Sequence, residues 1–473
     1  MDIISTTLPI NQDNLFELQK LIEAKLSDPR NKRKITYPLC TIMVIVILAK
    51  EAGCLNCCAI RRYWITNKDK LQQLIYGLTD EVASAQTIRR VQTIVKIEQL
   101  DELLTEFLVS QRIIKQDEPI PLQDREVVPA DGQNMRATRS HINGDARLDS
   151  GYDVVSLYSS TLGFTLSQVV VDKKNHEADS IIQMLDKVNV ENSILVWDAI
   201  NTRTKTLETV ISHKADYLVS LKSNQGLLFE EVTTAFDFID TNRYAYDVLS
   251  SQRTTSEHGR IEDKTIEIIE ADKALSKAMQ KKWASVKSLI RVTTTRTQKI
   301  SGLSQNTEHR YFISSIDMDG TDESYAATMQ DVILKRWAIE SRHWVIDVVF
   351  GQDALPLRNQ DYIKNSTIIT KMAVNILSFI REHAPMVDGK PQSFESLQIL
   401  ARQPQIAYKF MEAFYLNNFE LVKEDEFTKS CLGIKDEVIE DDLLSRPEQR
   451  SILDDMPEDT LLAKAFKART KKK

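Results

Sequence analysis

The chain is predicted to be an α/β protein. A layered core of strands and helices carries a β-rich insertion, an all-α region precedes it and a helical extension follows it. Three observations predict this. Up to about residue 120 the apolar residues recur at helical spacing with almost no β-alternation. From Arg125 to Leu221 short apolar runs alternate with amphipathic helical segments. From about Ser223 to Asp319 the pattern becomes β-like, and helices resume near Tyr325.

In the first region Leu15 to Leu26, Leu39 to Lys50, Lys70 to Leu78 and Leu100 to Gln111 have helical spacing, and Pro38 is placed to start the second of these helices. The run Ile42 to Ala49 is apolar on every side and reads as a buried helix. Pro119 and Pro121 punctuate a linker. Glu126 to Ala130 then leads into Asp131-Gly132. Tyr152 to Ser159 and Phe164 to Val171 read as paired strands around a turn at Thr161-Leu162-Gly163. A helix over Ala178 to Val188, a short strand over Ser193 to Trp197 ending at Asp198, a helix over Thr202 to His213 and a strand over Tyr217 to Leu221 complete the alternation. In the inserted stretch, residues 223–320, Thr265 to Ile269, Ser288 to Thr295 and His309 to Ser314 are candidate strands. The division is therefore 1–120, 121–384 and 385–473. The last part joins an acidic stretch to a basic tail, Lys464 to Lys473.

Composition bounds the chemistry. With 473 residues there is room for two or three domains, each with its own core. Five cysteines, three of them clustered as Cys54, Cys57 and Cys58, argue for a reducing compartment and against a disulfide framework. Without a second ligand pair nearby they do not suggest zinc, and they read as small buried residues of a helix end. No charged leader with an apolar core opens the chain, which predicts a protein that is not secreted, and no apolar run is long enough to span a bilayer. The net charge of −7 is unusual for a phosphate-binding protein. Basic residues nevertheless cluster at Arg30 to Lys34, at Arg89-Arg90 and at Arg136 with Arg139. Each cluster suits either a nucleic-acid contact or a solvated face.

The most informative stretch is Arg336 to Phe350. Trp337, Trp344, Val345 and Val348 are apolar at helical spacing, yet Glu340 and Asp347 fall two turns apart on much the same side. An acid set into an apolar face is costly unless something pairs with it. A divalent cation is a suitable partner, and Asp131 and Asp198 end apparent strands upstream. Three carboxylates without His or Cys suit a hard cation, Mg²⁺ or Mn²⁺. Two such ions can activate a water or a 3′-hydroxyl and stabilise the leaving oxygen of an in-line phosphoryl transfer. Asp at a strand end is also an ordinary turn former.

Five ordered elements carry a resemblance. They are Val128-Pro129-Ala130-Asp131-Gly132-Gln133, Val171 to Glu177, Val196-Trp197-Asp198-Ala199, Asp216 to Gln225, and Ile339-Glu340 with His343-Trp344-Val345-Ile346-Asp347-Val348-Val349-Phe350. Together they resemble the DDE transposases of bacterial insertion sequences, in particular the H-repeat-associated (ISAs-type) group. His258 to Glu262 and Tyr311 to Ser315 look like further family elements. The Pro38-Leu39 helix and Thr87-Ile88-Arg89-Arg90 look like the family's associated helical domain. The resemblance covers about residues 15 to 380.

It implies a ribonuclease-H-like catalytic core over 121–384, with Asp131, Asp198 and Glu340 as ligands of probably two Mg²⁺ or Mn²⁺ ions. It also implies an enzyme that cleaves DNA at terminal inverted repeats and transfers the strand into target DNA. Such a protein would act as a homo-oligomer on double-stranded DNA, in the cytoplasm at the nucleoid, away from membranes. The departures are Gln133 in place of Lys, Asn175-His176-Glu177 in place of a Ser-Asn-Glu-like piece, and Gln352-Asp353 in place of an acidic pair. Asp347 is the rival to Glu340 as third ligand.

Lys222, Asn224 and Gln225 follow a strand near the site and suit either a phosphate contact or a polar strand exit. Arg336, Arg342 and Arg358 suit backbone phosphates as bidentate donors, and Arg342 equally suits an acidic neighbour. Trp344 suits stacking on an unpaired base or core packing. His343 suits a substrate contact or a structural role. Arg89 and Arg90 suit DNA or a solvated helix face. A DNA-binding descendant without catalysis, and a nuclease without strand transfer, are the competing classes.

Overall fold

A computed structural model describes residues 12–112, 120–138, 151–171, 177–242, 244–257, 260–298, 307–318, 323–354 and 359–435. Residues Met1–Glu424 form one compact unit and Asp425–Lys473 a second. In the second, the described helix is Glu426–Cys431, capped by the Asp425 side chain.

Helices α1 (Gln12–Lys25), α2 (Leu39–Glu51), α3 (Cys57–Thr66), α4 (Lys68–Leu74), α5 (Ala85–Ile94) and α6 (Ile97–Val109) build the N-terminal region. Every residue of α2 is buried, as expected for a helix that is apolar all round. α3 was not among the expected helices, and at α5 a helix was expected only around Arg89 and Arg90. Both are short, and their starts are signalled by polar caps: the Asn56 and Ser84 side chains accept backbone N–H bonds from the first turn. Cys57 is buried and bonded to the Tyr362 hydroxyl at 3.2 Å, but Cys58 is exposed, so the cysteine cluster is not uniformly interior.

The cost of burying a whole helix shows at its end. Glu51 is fully buried, among the described residues neither carboxylate oxygen is partnered, and burial pushes its carboxyl well above the usual range. A folded-state pKa raised above the unfolded one means that stability is full below the ordinary carboxylate value and is lost as pH rises through the raised one. Glu51→Gln is therefore expected to raise Tm by a few degrees at neutral pH and to flatten that loss above pH 5. Equal pH dependence of Tm in both proteins would contradict this.

The core is a nine-stranded sheet. In chain order its strands are β1 (Val127–Met135), β2 (Tyr152–Ser159), β3 (Phe164–Val171), β4 (Ile194–Val196), β5 (Asp216–Leu221), β6 (Leu249–Glu257), β7 (Arg260–Glu270), β8 (Ser288–Gln298) and β9 (Glu308–Ser314). Their spatial order is β3-β2-β1-β4-β5-β9-β8-β7-β6. β1, β2 and β3 form an antiparallel meander, β4 and β5 run parallel to β1, and β9 returns antiparallel to β5. The turn at Thr161-Leu162-Gly163 joins β2 to β3 as expected, with Gly163 at φ 76°.

α7 (Glu177–Leu185) and α8 (Thr204–Ser212) connect the strands. The stretch 223–320 differs from its expected irregular β pattern in two ways. It opens with a 15-residue helix, α9 (Leu227–Thr241), whose Leu228, Val232, Ala235, Phe236 and Ile239 bury one face. Its four strands extend the core sheet rather than forming a separate one. β6 went unnoticed because its sequence, LSSQRTTSE, is polar on both faces; it is the outermost strand, where such a face is tolerated.

After the short helices α10 (Ala271–Ala274) and α11 (Lys277–Lys282), α12 (Glu323–Lys335) crosses the sheet. Met329, Val332 and Ile333 pack there against Val127, Ile194, Val196, Leu218 and Phe312. α13 (Ala338–Trp344) follows, then a π turn (Val345–Val349) and the long buried α14 (Gln360–His383). α15 (Phe394–Ala401), α16 (Pro404–Tyr415) and α17 (Glu420–Glu424) complete the first unit; α15 and α16 pack against both α14 and α2. No helix among the described residues is long and apolar enough to cross a membrane.

Candidate active site

Asp131 and Asp198 occupy equivalent positions on neighbouring parallel strands. The last register pair between β1 and β4 is Pro129↔Val196, and each aspartate lies two residues beyond its member of that pair. Residues two apart share a face of a strand, so both carboxylates leave the sheet on the side that α12 covers, where the strands are about 4.8 Å apart. Asp198 opens a short 3₁₀ turn (Ala199–Asn201) but does not cap it, which leaves its carboxylate for other partners. Lys222 stands beside it, with Nζ 3.5 Å from Asp198 Oδ2.

Glu340 lies in the first turn of α13, which packs against β1. Its carboxylate is half-exposed, and Arg336 approaches Oε1 at 3.5 Å from one turn earlier. Arg336 also lies flat against Trp337, its guanidinium carbon 4.8 Å from the ring centre. The Asp131 carboxyl is pushed up to about 6, first by burial and further by the charges of Glu177 and Glu340. The Gly132 backbone N–H and Arg336 act in the opposite direction.

A polar layer lies beneath Asp131. His343 Nδ1 is 3.7 Å from Asp131 Oδ2, and burial, with Lys371 and Arg342 nearby, holds the imidazole down to about 3, so the contact is not a charged pair. The Gln133 amide donates to the His343 carbonyl oxygen at 3.2 Å and also hydrogen-bonds the Asp347 carboxyl. Ser156, the register partner of Asp131 on β2, accepts from the fully buried Lys371 ammonium of α14. Asp347 thus faces Gln133, Asp353, Arg136 and Lys371, while Glu340 faces Asp131. The two acids were expected on much the same side; they keep different neighbours, and Asp347 stands in a π turn closed by Phe350 N–H to the Val345 carbonyl at 3.1 Å.

Several other expected contacts come out differently. Arg342 is buried and unavailable to DNA. Its guanidinium donates to Ser378 Oγ at 2.8 Å and to the Gly163 carbonyl and lies over Tyr158, so it joins α13 to the β2–β3 turn and α14. A guanidinium with these fixed acceptors and an aromatic face is satisfied without an acid. Trp344, weighed against core packing, is 57% exposed.

Asn224 donates to the Ala199 carbonyl at 3.0 Å, and Gln225 to those of Ala199 and Thr202 at 2.7 and 3.2 Å. Both amides are spent on bracing the turn that carries Asp198. Lys222 keeps an exposed ammonium. Arg89 and Arg90 are exposed in the middle of α5, with Arg89 over the Tyr362 ring. Arg358 lies outside the described residues.

Glu177 was read only as part of a motif, yet it stands among these acids. The signal was its place at the start of a helix in one of the five ordered elements.

Among the described residues no three His, Cys, Asp or Glu side chains are close enough together to enclose an ion. The donor set nevertheless fits a hard divalent cation: all its members are oxygen acids, and their mutual repulsion is what a cation relieves.

The family model described as Transposase DDE domain matches residues 122–376, and the DDE_Tnp_1-associated model matches residues 24–108. "Putative transposase YncI" of Escherichia coli O157:H7 is 26% identical over 366 residues, covering 76% of this chain and 88% of that protein. "H repeat-associated putative transposase YhhI" of Escherichia coli (strain K12) is 25% identical over 370 residues, covering 77% of this chain and 91% of its own length. A solved structure, the piggyBac transposase synaptic complex with hairpin DNA, aligns over 95% of this chain and 84% of its own with 10% identity and a TM-score of 0.34, too low to carry an argument. With the first family model spanning more than half of its length, from before Asp131 to beyond Glu340, this chain belongs to the DDE transposase domain family.

Proposed function

We propose that the chain cleaves DNA at the terminal inverted repeats of its element and joins the freed 3′ end to target DNA, using Mg²⁺ or Mn²⁺ held by Asp131, Asp198 and Glu340. The observation that carries this reading is the register: two aspartates displaced equally beyond one parallel strand pair, with Glu340 on a helix, α13, that packs against β1. The antiparallel meander β3-β2-β1 followed by parallel β4 and β5 supports a ribonuclease-H-like core. Residues 1–120 serve as the DNA-binding helical domain, 121–384 as the catalytic domain and 385–473 as an extension.

The bound ions supply Lewis-acid stabilisation of the attacking and leaving oxygens. Asp131, Asp198 and Glu340 provide the anionic oxygens that fix where those charges sit. In the first step a water oxygen forms a bond to phosphorus while the P–O3′ bond breaks, and the leaving oxygen ends as the 3′-hydroxyl. In the second that hydroxyl forms a bond to a target phosphorus and one target P–O bond breaks, so the number of phosphodiester bonds is conserved. Lys222, exposed beside Asp198, and Arg336, beside Glu340, hold the scissile phosphate by charge; Arg89 and Arg90 offer the exposed cations of α5 to the duplex backbone. A homo-oligomer brings two element ends together.

The test is a labelled duplex carrying the element end with its flanking DNA. Nicking at the repeat boundary with Mg²⁺ or Mn²⁺, and none with EDTA, is expected. Specific binding without cleavage under either condition would overturn the enzymatic reading in favour of a DNA-binding descendant.

A further inference from the structure

We propose that Glu177 is a fourth carboxylate of this site and shares with Asp131 and Asp198 the binding of divalent metal. This deepens the metal-dependent reading above and rests on it. The site itself is located by the strand register and the family match, not by the number of acids.

Glu177 is pinned between the two aspartate-bearing segments. Its Oε2 accepts from Asn201 Nδ2 at 2.9 Å, and Asn201, only 3% exposed, closes the turn that Asp198 opens. On its other side, Oε1 lies 2.5 Å from where a β-carbon on Gly132 would be. Gly132 is not at positive φ, and a β-carbon there would require the Glu177 carboxylate to move. Glu177 therefore meets β1 from α7, on the face opposite to the one Asp131 leaves, while Glu340 comes from α13. It also lines a cavity of about 240 Å³, together with Gly132, Asn134, Asp153, Asn201 and Arg203, so solvent and ions reach it.

A purely structural bridge does not need a charge here. Glutamine in this position would accept the same Asn201 bond and spare Asp131 a like-charged neighbour. A carboxylate held instead against the residue next to Asp131 and at the turn that Asp198 opens adds a like charge that a bound cation offsets.

The test uses the full chain without DNA and without turnover. Thermal unfolding is followed in EDTA and over a Mn²⁺ titration for wild type, Glu177→Gln and Glu177→Ala. In EDTA the Gln variant is expected to match or exceed the wild-type Tm, while needing about tenfold or more Mn²⁺ for the same upward shift. The Ala variant, which also loses the Asn201 bond, separates the fold contribution: its EDTA Tm falls, and its Mn²⁺ requirement rises as in the Gln variant. A wild type that responds to Mn²⁺ alongside variants with the same Mn²⁺ midpoint would overturn the assignment of Glu177 and leave the three-carboxylate reading intact. A wild type that ignores Mn²⁺ would overturn the metal-dependent reading, and this proposal with it.

Discussion

Replacing Asp198 by Asn is expected to reduce metal-dependent nicking about a thousandfold or more while leaving the fold intact. Loss of a carboxylate that fixes a catalytic ion forfeits several kcal/mol of transition-state stabilisation, and each 1.4 kcal/mol is about tenfold in rate. The fold is spared because the Asp198 side chain does not cap its turn, and that turn is braced instead by Asn224 and Gln225. Asn keeps the shape and removes the charge, so Tm in EDTA is expected to stay within about 0.5 kcal/mol of wild type in stability terms. Asp347→Asn is the informative companion. Asp347 faces Gln133 and Lys371 rather than Asp131, so its loss should reduce cleavage far less than that of Asp198 or Glu340. Cleavage lost with Asp347→Asn and retained with Glu340→Gln would exchange their roles. Full activity in Asp198→Asn would sink the site.

Lys371→Met is expected to make the protein more stable at neutral pH, by about 3 kcal/mol. Lys371 is fully buried on α14, and burial, reinforced by Arg342 and opposed by Asp347, pushes its ammonium down to about 7. Among the described residues its hydrogen bond goes to the neutral Ser156 hydroxyl, and no carboxylate lies within ion-pair distance. A lysine whose folded-state pKa is depressed gives its full stability above the unfolded value of about 10.5 and loses it as pH falls toward about 7. Wild type should therefore lose stability across that window, and the Met variant, which fills a similar volume without charge, should not. Chemical denaturation at pH 7 and pH 10 measures this directly. A variant less stable than wild type at pH 7, with the gap unchanged at pH 10, would show that packing and the Ser156 bond outweigh desolvation. A stability cost beside a carboxylate proposed as catalytic is what a site tuned for function rather than for packing displays.

How far the sequence could be read depended on where the signal lay. Strands β2, β3, β4 and β5 and helices α2, α6, α7 and α8 were legible because each buries one apolar face or a whole apolar run at its own period. α9 had the same helical spacing and was overlooked inside a stretch whose polar strands set the impression. β6 could not be read, since an edge strand with polar residues on both faces has no period to detect. Arg342 illustrates the opposite problem. Its sequence context is identical whether it points to phosphate or to the Gly163 carbonyl, and only the packing of α13 on the β2–β3 turn distinguishes them.

The sequence by itself determined the family, through five elements in order, and with it the candidate acids Asp131, Asp198 and Glu340. It also determined the alternation of helix and strand, because motif identity and hydrophobic period are local properties of the chain. Tertiary structure alone decided the neighbours. It set Asp131 and Asp198 at matching register, placed Glu177 against Gly132 and Asn201, and put Asp347 beside Gln133. These are contacts between residues tens to hundreds of positions apart. They depend on how layers pack and how a turn is wound, and no local pattern encodes that.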